Sequence, residues 1–206
     1  MNLIFGTTNN RKKEDLQEII NDMKLDITVL SMEDIGWDRG EIEENGKTIE
    51  ENSLIKAQAV NSFCKEHNLE YPVLTDDAGL FVDALNGEPG IRTARYAKDE
   101  IDQDSSLPKY QGVIKLLRNL ENSNNRNAEY RCCVTLMKSN GEYHQELGVS
   151  KGTIAKEIIG ELKKPFFYSV FVLEGTDVAF NKLKEEELAD TYRHSALRKT
   201  FSHLEF

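Results

Sequence analysis

Leu74-Thr75-Asp76-Asp77-Ala78-Gly79-Leu80-Phe81-Val82-Asp83 is the stretch from which the rest of the chain is read. The run Val73-Leu74-Thr75 enters two adjacent carboxylates, then a small pair, then a second apolar run. The pattern predicts a buried strand that ends in a tight turn, with the acids where the chain leaves the core. Neighbouring carboxylates there are unfavourable, because like charges repel and burial raises their pKa values. A hard divalent cation held by oxygen ligands is the common offset. The alternative is a solvated turn whose acids satisfy backbone donors. The surrounding sequence has to decide between them.

The 206 residues suffice to bury a substantial core as one domain, with 39% hydrophobic and 30% charged residues. Leu3-Ile4-Phe5, the apolar run at the N-terminus, is too short for a signal peptide or a membrane span, so a cytoplasmic protein with no membrane partner is expected. Cys64, Cys132 and Cys133 lack metal-ligand spacing and read as reduced core thiols. The four histidines are dispersed and give no zinc pattern. A net charge of −10 argues against a nucleic-acid polymer as partner. It leaves room for a small phosphate ligand held by a few fixed cations and a metal.

Leu3-Ile4-Phe5 reads as a strand that runs into Gly6-Thr7-Thr8-Asn9-Asn10-Arg11-Lys12-Lys13, then a helix with Leu16, Ile19, Ile20 and Met23 on one face. A strand, a polar turn and a helix start present free N–H groups, a helix dipole and a lysine to an anion. Ile27-Thr28-Val29-Leu30 is a second strand, followed by an acidic loop over 33–44. Thr48 and Glu51 form a capping box for a helix running to about His67, with Ile49, Ile55, Val60 and Phe63 toward a core. Asn52 and Lys56 share one face of that helix, just downstream of Glu44.

Asn86-Gly87-Glu88-Pro89-Gly90 is a dense turn signal, and Arg92, Arg95 and Tyr96 follow it. A helix is expected from Pro108 to Asn119, with proline in its first turn. Two strands over 130–149 are joined at Asn140-Gly141, and a further strand is expected over 152–155. Phe166-Phe167-Tyr168-Ser169-Val170-Phe171-Val172 is aromatic and apolar, open to base stacking or to a core strand. Helices are expected over 182–189 and 195–204, with Tyr192-Arg193-His194 between them.

Taken in order, these stretches resemble the inosine triphosphate pyrophosphatase family over nearly the whole chain. Thr7-Thr8-Asn9-Asn10-Arg11-Lys12 is similar to its T-G-N-x-x-K phosphate loop. Residues 44–57 are similar to its E-T-G-x-T-F-x-E-N-A-x-x-K-A block, 76–85 to D-D-S-G-L-x-V-D-x-L, and 89–96 to P-G-x-x-S-A-R-Y. The resemblance implies an elongated α/β fold: one domain over residues 1–206, a long mixed β-sheet flanked by helices, and an active-site cleft between two lobes. It also implies a homodimer and Mg²⁺-dependent hydrolysis of a nucleoside triphosphate to monophosphate and pyrophosphate, with inosine- and xanthosine-type substrates.

Carried over by position, the resemblance makes Glu44 and Asp77 metal ligands supported by Asp76, with Asp77 also the base for the attacking water. Lys12 and Lys56 hold the triphosphate with Asn9. Substrate contact extends to Thr7, Thr8, Asn52, Ala78, Arg95, Phe167, Tyr168 and Arg193. This division suits the chemistry, which needs developing charge neutralised and a water aimed in line at phosphorus.

The departures cluster in one part of the family pattern. Where relatives carry F-G-Y-D-P this chain has Phe166-Phe167-Tyr168-Ser169-Val170, and where they carry S-H-R it has Thr191-Tyr192-Arg193. The upstream family lysine has no clear counterpart beside Glu185-Glu186-Glu187, although Lys184 is near. Thr8 replaces the glycine of T-G-N, and Ala78 replaces the serine after the acid pair. In the family most of these groups contact base and sugar, so the phosphate and metal half is expected to be retained and the base-reading half altered. The same chemistry on another base, or a nucleotide-binding relative with little turnover, are the alternatives.

Overall fold

A computed structural model of the chain describes residues 1–7, 9–188 and 190–202, without the side chains of residues 10, 11, 185 and 186. In chain order the elements are β1 (Asn2–Phe5), α1 (Asn10–Asp22), β2 (Thr28–Leu30), α2 (Ile49–Glu66), β3 (Val73–Val82), β4 (Pro89–Gly90), α3 (Lys98–Gln103), α4 (Gln111–Asn119), β5 (Asn127–Met137), β6 (Tyr143–Ile154), β7 (Phe171–Leu173), α5 (Glu185–Leu188) and α6 (Tyr192–Ser202). The strands form one mixed sheet in the order β2-β1-β3-β5-β6-β7, with β4 paired to β3. β1 runs parallel to β2 and β3, whereas β4 on β3 and β7 on β6 are antiparallel. The expected α/β architecture, a mixed sheet flanked by helices, is what forms.

The chain divides into two compact units, residues 1–77, 132–148 and 192–206 in the first and 78–131 and 149–191 in the second. In the first, Leu3, Ile4 and Phe5 of β1 are wholly enclosed, as are Leu16, Ile19 and Ile20 of α1 and Ala57, Val60 and Phe63 of α2. Each such large side chain contributes about 1.5–3 kcal/mol by leaving water. Trp37, Ile35 and Ile42 of the acidic loop pack on the cluster of Ile4, Met32, Val60, Cys64 and Val73. Gly148 admits α6 onto β6, since a Cβ there would lie 1.7 Å from the Tyr192 carbonyl oxygen. In the second unit Tyr130, Tyr168, Phe171 and Phe180 pack edge and face, and Arg126 donates to the carbonyls of Leu120, Ile154 and Ala155.

Thr48 caps α2, its hydroxyl accepting the Glu51 N–H at 3.1 Å. The Glu51 carboxylate reaches back to the Lys47 N–H at 2.6 Å, one residue earlier than a closed capping box requires. The hairpin turns at Gly141, with φ of 98° and the Lys138 N–H donating to the Glu142 carbonyl. Asn86 and Gly87 both adopt positive φ at the expected turn.

Several expected boundaries move. β3 does not turn at Asp76-Asp77 but continues to Val82, where Leu80 and Phe81 pair with Gly90 and Pro89. The strand expected over 152–155 is the far end of β6. Pro108 lies outside α4, its carbonyl accepting the Gln111 N–H that opens the helix. Residues 166–169 form a 3-10 turn before β7, and α5 covers only part of the expected helix. Tyr192, Arg193 and His194 are the first turn of α6 and not a linker. Ile55 is half-buried, because the inward stripe of α2 runs through Ile49, Asn52, Ser53, Lys56, Ala57 and Val60. Ile49, Val60 and Phe63 are buried as expected, and three polar residues share that face with them.

Candidate active site

The continuation of β3 through the acid pair shapes the site. Successive strand residues point to opposite faces, so Asp76 and Asp77 find separate partners. All of those partners lie in the first unit.

Asp76 is 2% exposed. Lys12, in the first turn of α1, places its ammonium 3.0 Å from Oδ1 and 2.9 Å from Oδ2. Arg193 of α6 brings Nε to 3.5 Å from Oδ2, and its two terminal nitrogens donate to Asp15 at 3.1 Å and to the Lys12 carbonyl at 3.2 Å. Cys132 of β5 packs 3.9 Å from the same carboxylate. Burial pushes the Asp76 carboxyl up, but Arg193, Lys12 and Lys56 outweigh it and hold the group well below the usual range. Asp76 is therefore a fixed negative charge. The Cys132 thiol is pushed up, first by burial and then by Asp76, and stays protonated.

Asp77 lies against α2. Asn52 donates from Nδ2 to Asp77 Oδ2 at 3.2 Å, and Lys56 Nζ is 3.5 Å from Oδ1. The same ammonium is 3.4 Å from Glu44 Oε1. Asn52, fully enclosed, uses its Oδ1 to accept the Gly46 N–H at 2.9 Å and so anchors the loop that carries Glu44. A Cβ on Gly46 would stand 2.7 Å from that oxygen, so the position needs glycine. Burial raises the Asp77 pKa, Lys56 opposes this, and Glu44 adds to it. Two carboxylates thus converge on one buried lysine, an arrangement that strains their shared negative charge.

Among the described residues no group of three or more His, Cys, Asp or Glu side chains is gathered as a metal cluster. Glu44 and Asp77 form a pair, and Asp76 is engaged by Lys12 and Arg193. The pair offers only oxygen donors beside raised local negative charge, which fits a hard divalent cation.

The other expected site residues are distributed as follows. Thr7 accepts the Asn9 N–H at 3.2 Å, and the Asn9 carbonyl accepts from Lys13 at the start of α1. Thr8 lies outside the described residues. Ala78 and Arg95 belong to the second unit, the former half-buried on β3 and the latter exposed at the end of a 3-10 turn. Phe167 is 8% exposed and faces Gly112, and Tyr168 stands edge-on to Tyr130 and Phe180. Both rings therefore serve the core of the second unit. Asp15 was missed by the sequence reading, although its spacing of three from Lys12 on α1 was the signal that would have found it.

This is an α/β protein in which Lys12 at the start of α1 meets Asp76, and Lys56 of α2 meets Glu44 and Asp77, an arrangement of the phosphate-handling class. A Ham1 family profile matches residues 3–203. The chain is 33% identical over 200 residues to the dITP/XTP pyrophosphatase of Flavobacterium psychrophilum, covering 96% of each. It is 32% identical over 204 residues to that of Bacillus subtilis, covering 98% of this chain and 96% of the relative. The structure superposes on the Staphylococcus aureus Ham1 protein with a TM-score of 0.79 at 28% identity, over 97% and 95% of the two chains. For a HAM1 protein from Coxiella burnetii the TM-score is 0.80 at 26% identity, over 98% and 96%. The chain belongs to the Ham1 family, and the resemblance read from its motifs is borne out.

Proposed function

We propose that this chain is a cytoplasmic, homodimeric nucleoside triphosphate pyrophosphohydrolase that acts with Mg²⁺ on ITP, dITP and XTP. The observation that carries the reading is Lys56, whose ammonium is shared by Glu44 and Asp77 within 3.5 Å. Relatives named dITP/XTP pyrophosphatase, aligned over nearly the full length, support the substrate class. No helix among the described residues is long and apolar enough to cross a membrane.

Lys12 and Lys56 draw in the triphosphate, with Thr7, Asn9 and the start of α1 offering polar groups. Asp77 accepts a proton from water as the water oxygen bonds to the α-phosphorus. The bond from that phosphorus to the bridging oxygen breaks, and pyrophosphate leaves with its electron pair. Bound by Glu44 and Asp77, Mg²⁺ would neutralise charge on the phosphate oxygens. Asp76 stays ionised throughout and keeps Lys12 directed, while Asn52 sets the angle of the Asp77 carboxylate. Arg193 holds Asp76 and the Lys12 backbone in place behind the phosphate contacts in this reading.

Purified protein with Mg²⁺ should release pyrophosphate and monophosphate in equal amounts, with kcat/KM for ITP, dITP and XTP well above ATP and GTP. Failure to release pyrophosphate from any nucleotide in a broad panel would overturn the reading. One observation favours a second reading with the same chemistry and another base. Ser169, where relatives carry aspartate, is 1% exposed, and its hydroxyl donates to the Phe166 carbonyl. A different nucleotide leading the panel would select it.

A further inference from the structure

A buried polar chain lies behind the α2 residues that reach Asp77. Ser53, next to Asn52 and three residues before Lys56, faces the strands and is fully enclosed, as are Thr75 of β3 and Thr135 of β5. The Thr75 hydroxyl donates to the Ser53 carbonyl at 2.7 Å. Ser53 Oγ lies 2.7 Å from Thr135 Oγ1 and 3.3 Å from the Thr75 carbonyl oxygen. Gln145 of β6 donates from Nε2 to both Thr135 Oγ1 and the Glu50 carbonyl, each at 2.9 Å.

Each hydroxyl has one proton and two lone pairs, and one assignment of directions satisfies every donor. Gln145 donates to Thr135, Thr135 to Ser53, and Ser53 to the Thr75 carbonyl, while Thr75 returns its own proton to Ser53. Every donor is satisfied, so removing any member leaves buried groups without partners. The links tie the first two turns of α2 to three strands, at Glu50 and at Ser53. Thr75 is two residues from Asp77, and Ser53 is bonded through the backbone to Asn52. The chain therefore sets the register in which Asn52 and Lys56 meet Asp77 across 3.2 and 3.5 Å. Apolar side chains of similar size would fill the same space but would not fix that register. In the motif block the position of Ser53 is alanine, so this hydroxyl adds a link beyond the family pattern.

We infer that Gln145, Thr135, Ser53 and Thr75 form a positioning relay that holds Asn52 and Lys56 against Asp77. The inference rests on the proposed role of Asp77 as base. Catalytic groups displaced by about 1 Å lose on the order of a hundredfold in rate, and partial loosening should cost less.

The test compares Thr135→Val, which keeps the shape and removes the hydroxyl, with Thr135→Ser, which restores it, and with Ser53→Ala. Steady-state release of pyrophosphate from dITP gives kcat and KM. Amide hydrogen exchange over residues 49–57 and 73–77 is measured on the same proteins without nucleotide. Thr135→Val is expected to lower kcat about tenfold or more, and to speed exchange in both segments about tenfold while β7 is unchanged. Thr135→Ser should recover most of kcat and of the protection, and Ser53→Ala should fall between. Thr135→Val with kcat within twofold of the parent, or exchange unchanged in both segments, overturns the relay. If the parent releases no pyrophosphate from any nucleotide, the proposed function fails, and the exchange comparison still decides whether these residues hold α2 to β3.

Discussion

Replacing Asp76 by asparagine keeps the shape of the side chain and removes a charge that sits between two cations. Lys12 lies 2.9 Å away with about a quarter of its side chain exposed, so it can turn to water. Arg193 is 8% exposed at its side chain and cannot. Breaking a buried pair by deleting one partner costs about 3–5 kcal/mol. Arg193 retains Asp15 and the Lys12 carbonyl, so the lower end applies, about 3 kcal/mol. For a chain of this length each kcal/mol moves Tm by about 2–4 °C, which gives a fall of about 6–12 °C at pH 7.

The pH dependence has a definite sign. The Asp76 carboxyl is held below its ordinary value in the folded protein, so its contribution is fully present above the unfolded pKa of about 3.9. The contribution is lost as pH falls below that value toward the lower folded one. Parent and Asp76→Asn should therefore differ by the same amount from pH 7 to pH 5 and converge in more acidic solution. Thermal or urea unfolding at a series of pH values measures this. A variant within 2 °C of the parent at pH 7, or a gap that widens on acidification, would refute the electrostatic account of this site.

Asp77→Asn should reduce kcat for pyrophosphate release by about 10²–10⁴, the usual range for a lost general base, with the far-UV circular dichroism of the parent. Gly148→Ala should destabilise strongly, since its Cβ would overlap the Tyr192 carbonyl; a Tm drop of less than about 3 °C would mean that α6 tolerates displacement there. Thr48→Ala removes the cap of α2 and should cost about 1 kcal/mol, read as a shift in the urea midpoint at constant m-value.

The local part of this structure was legible in the sequence because local chemistry causes it. The cap at Thr48, the turn at Asn140-Gly141 and the strand-loop-helix around Gly6 all depend on neighbours within a few residues. The path of β3 was not legible. Two adjacent acids read as a chain exit until their partners are known, and Lys12 lies 64 residues from Asp76. Likewise Arg193 reads as a linker residue, because one of its partners, Asp15, is 178 residues away. At the site, the types Lys12, Glu44, Lys56 and Asp77 followed from motif order. The polar stripe of Asn52, Ser53 and Lys56 breaks the apolar periodicity of α2, so periodicity alone does not show that this face is buried. The aromatic run after Pro165 was ambiguous in sequence, since hydrophobic rings serve a core and a stacking platform equally well.

The side-chain alternation along β3 has a consequence for how this sequence can change. A strand repeats every two residues, so a one-residue slip moves every side chain to the other face. Deleting or inserting a single residue within 73–76 would turn the Asp77 carboxylate toward Arg193 and leave Lys56 and Glu44 without their partner. No substitution elsewhere could correct that inversion. Length variation is therefore tolerable at the exposed residues 38–41 of the acidic loop, and lethal to the site over four residues of β3, whatever amino acids are used.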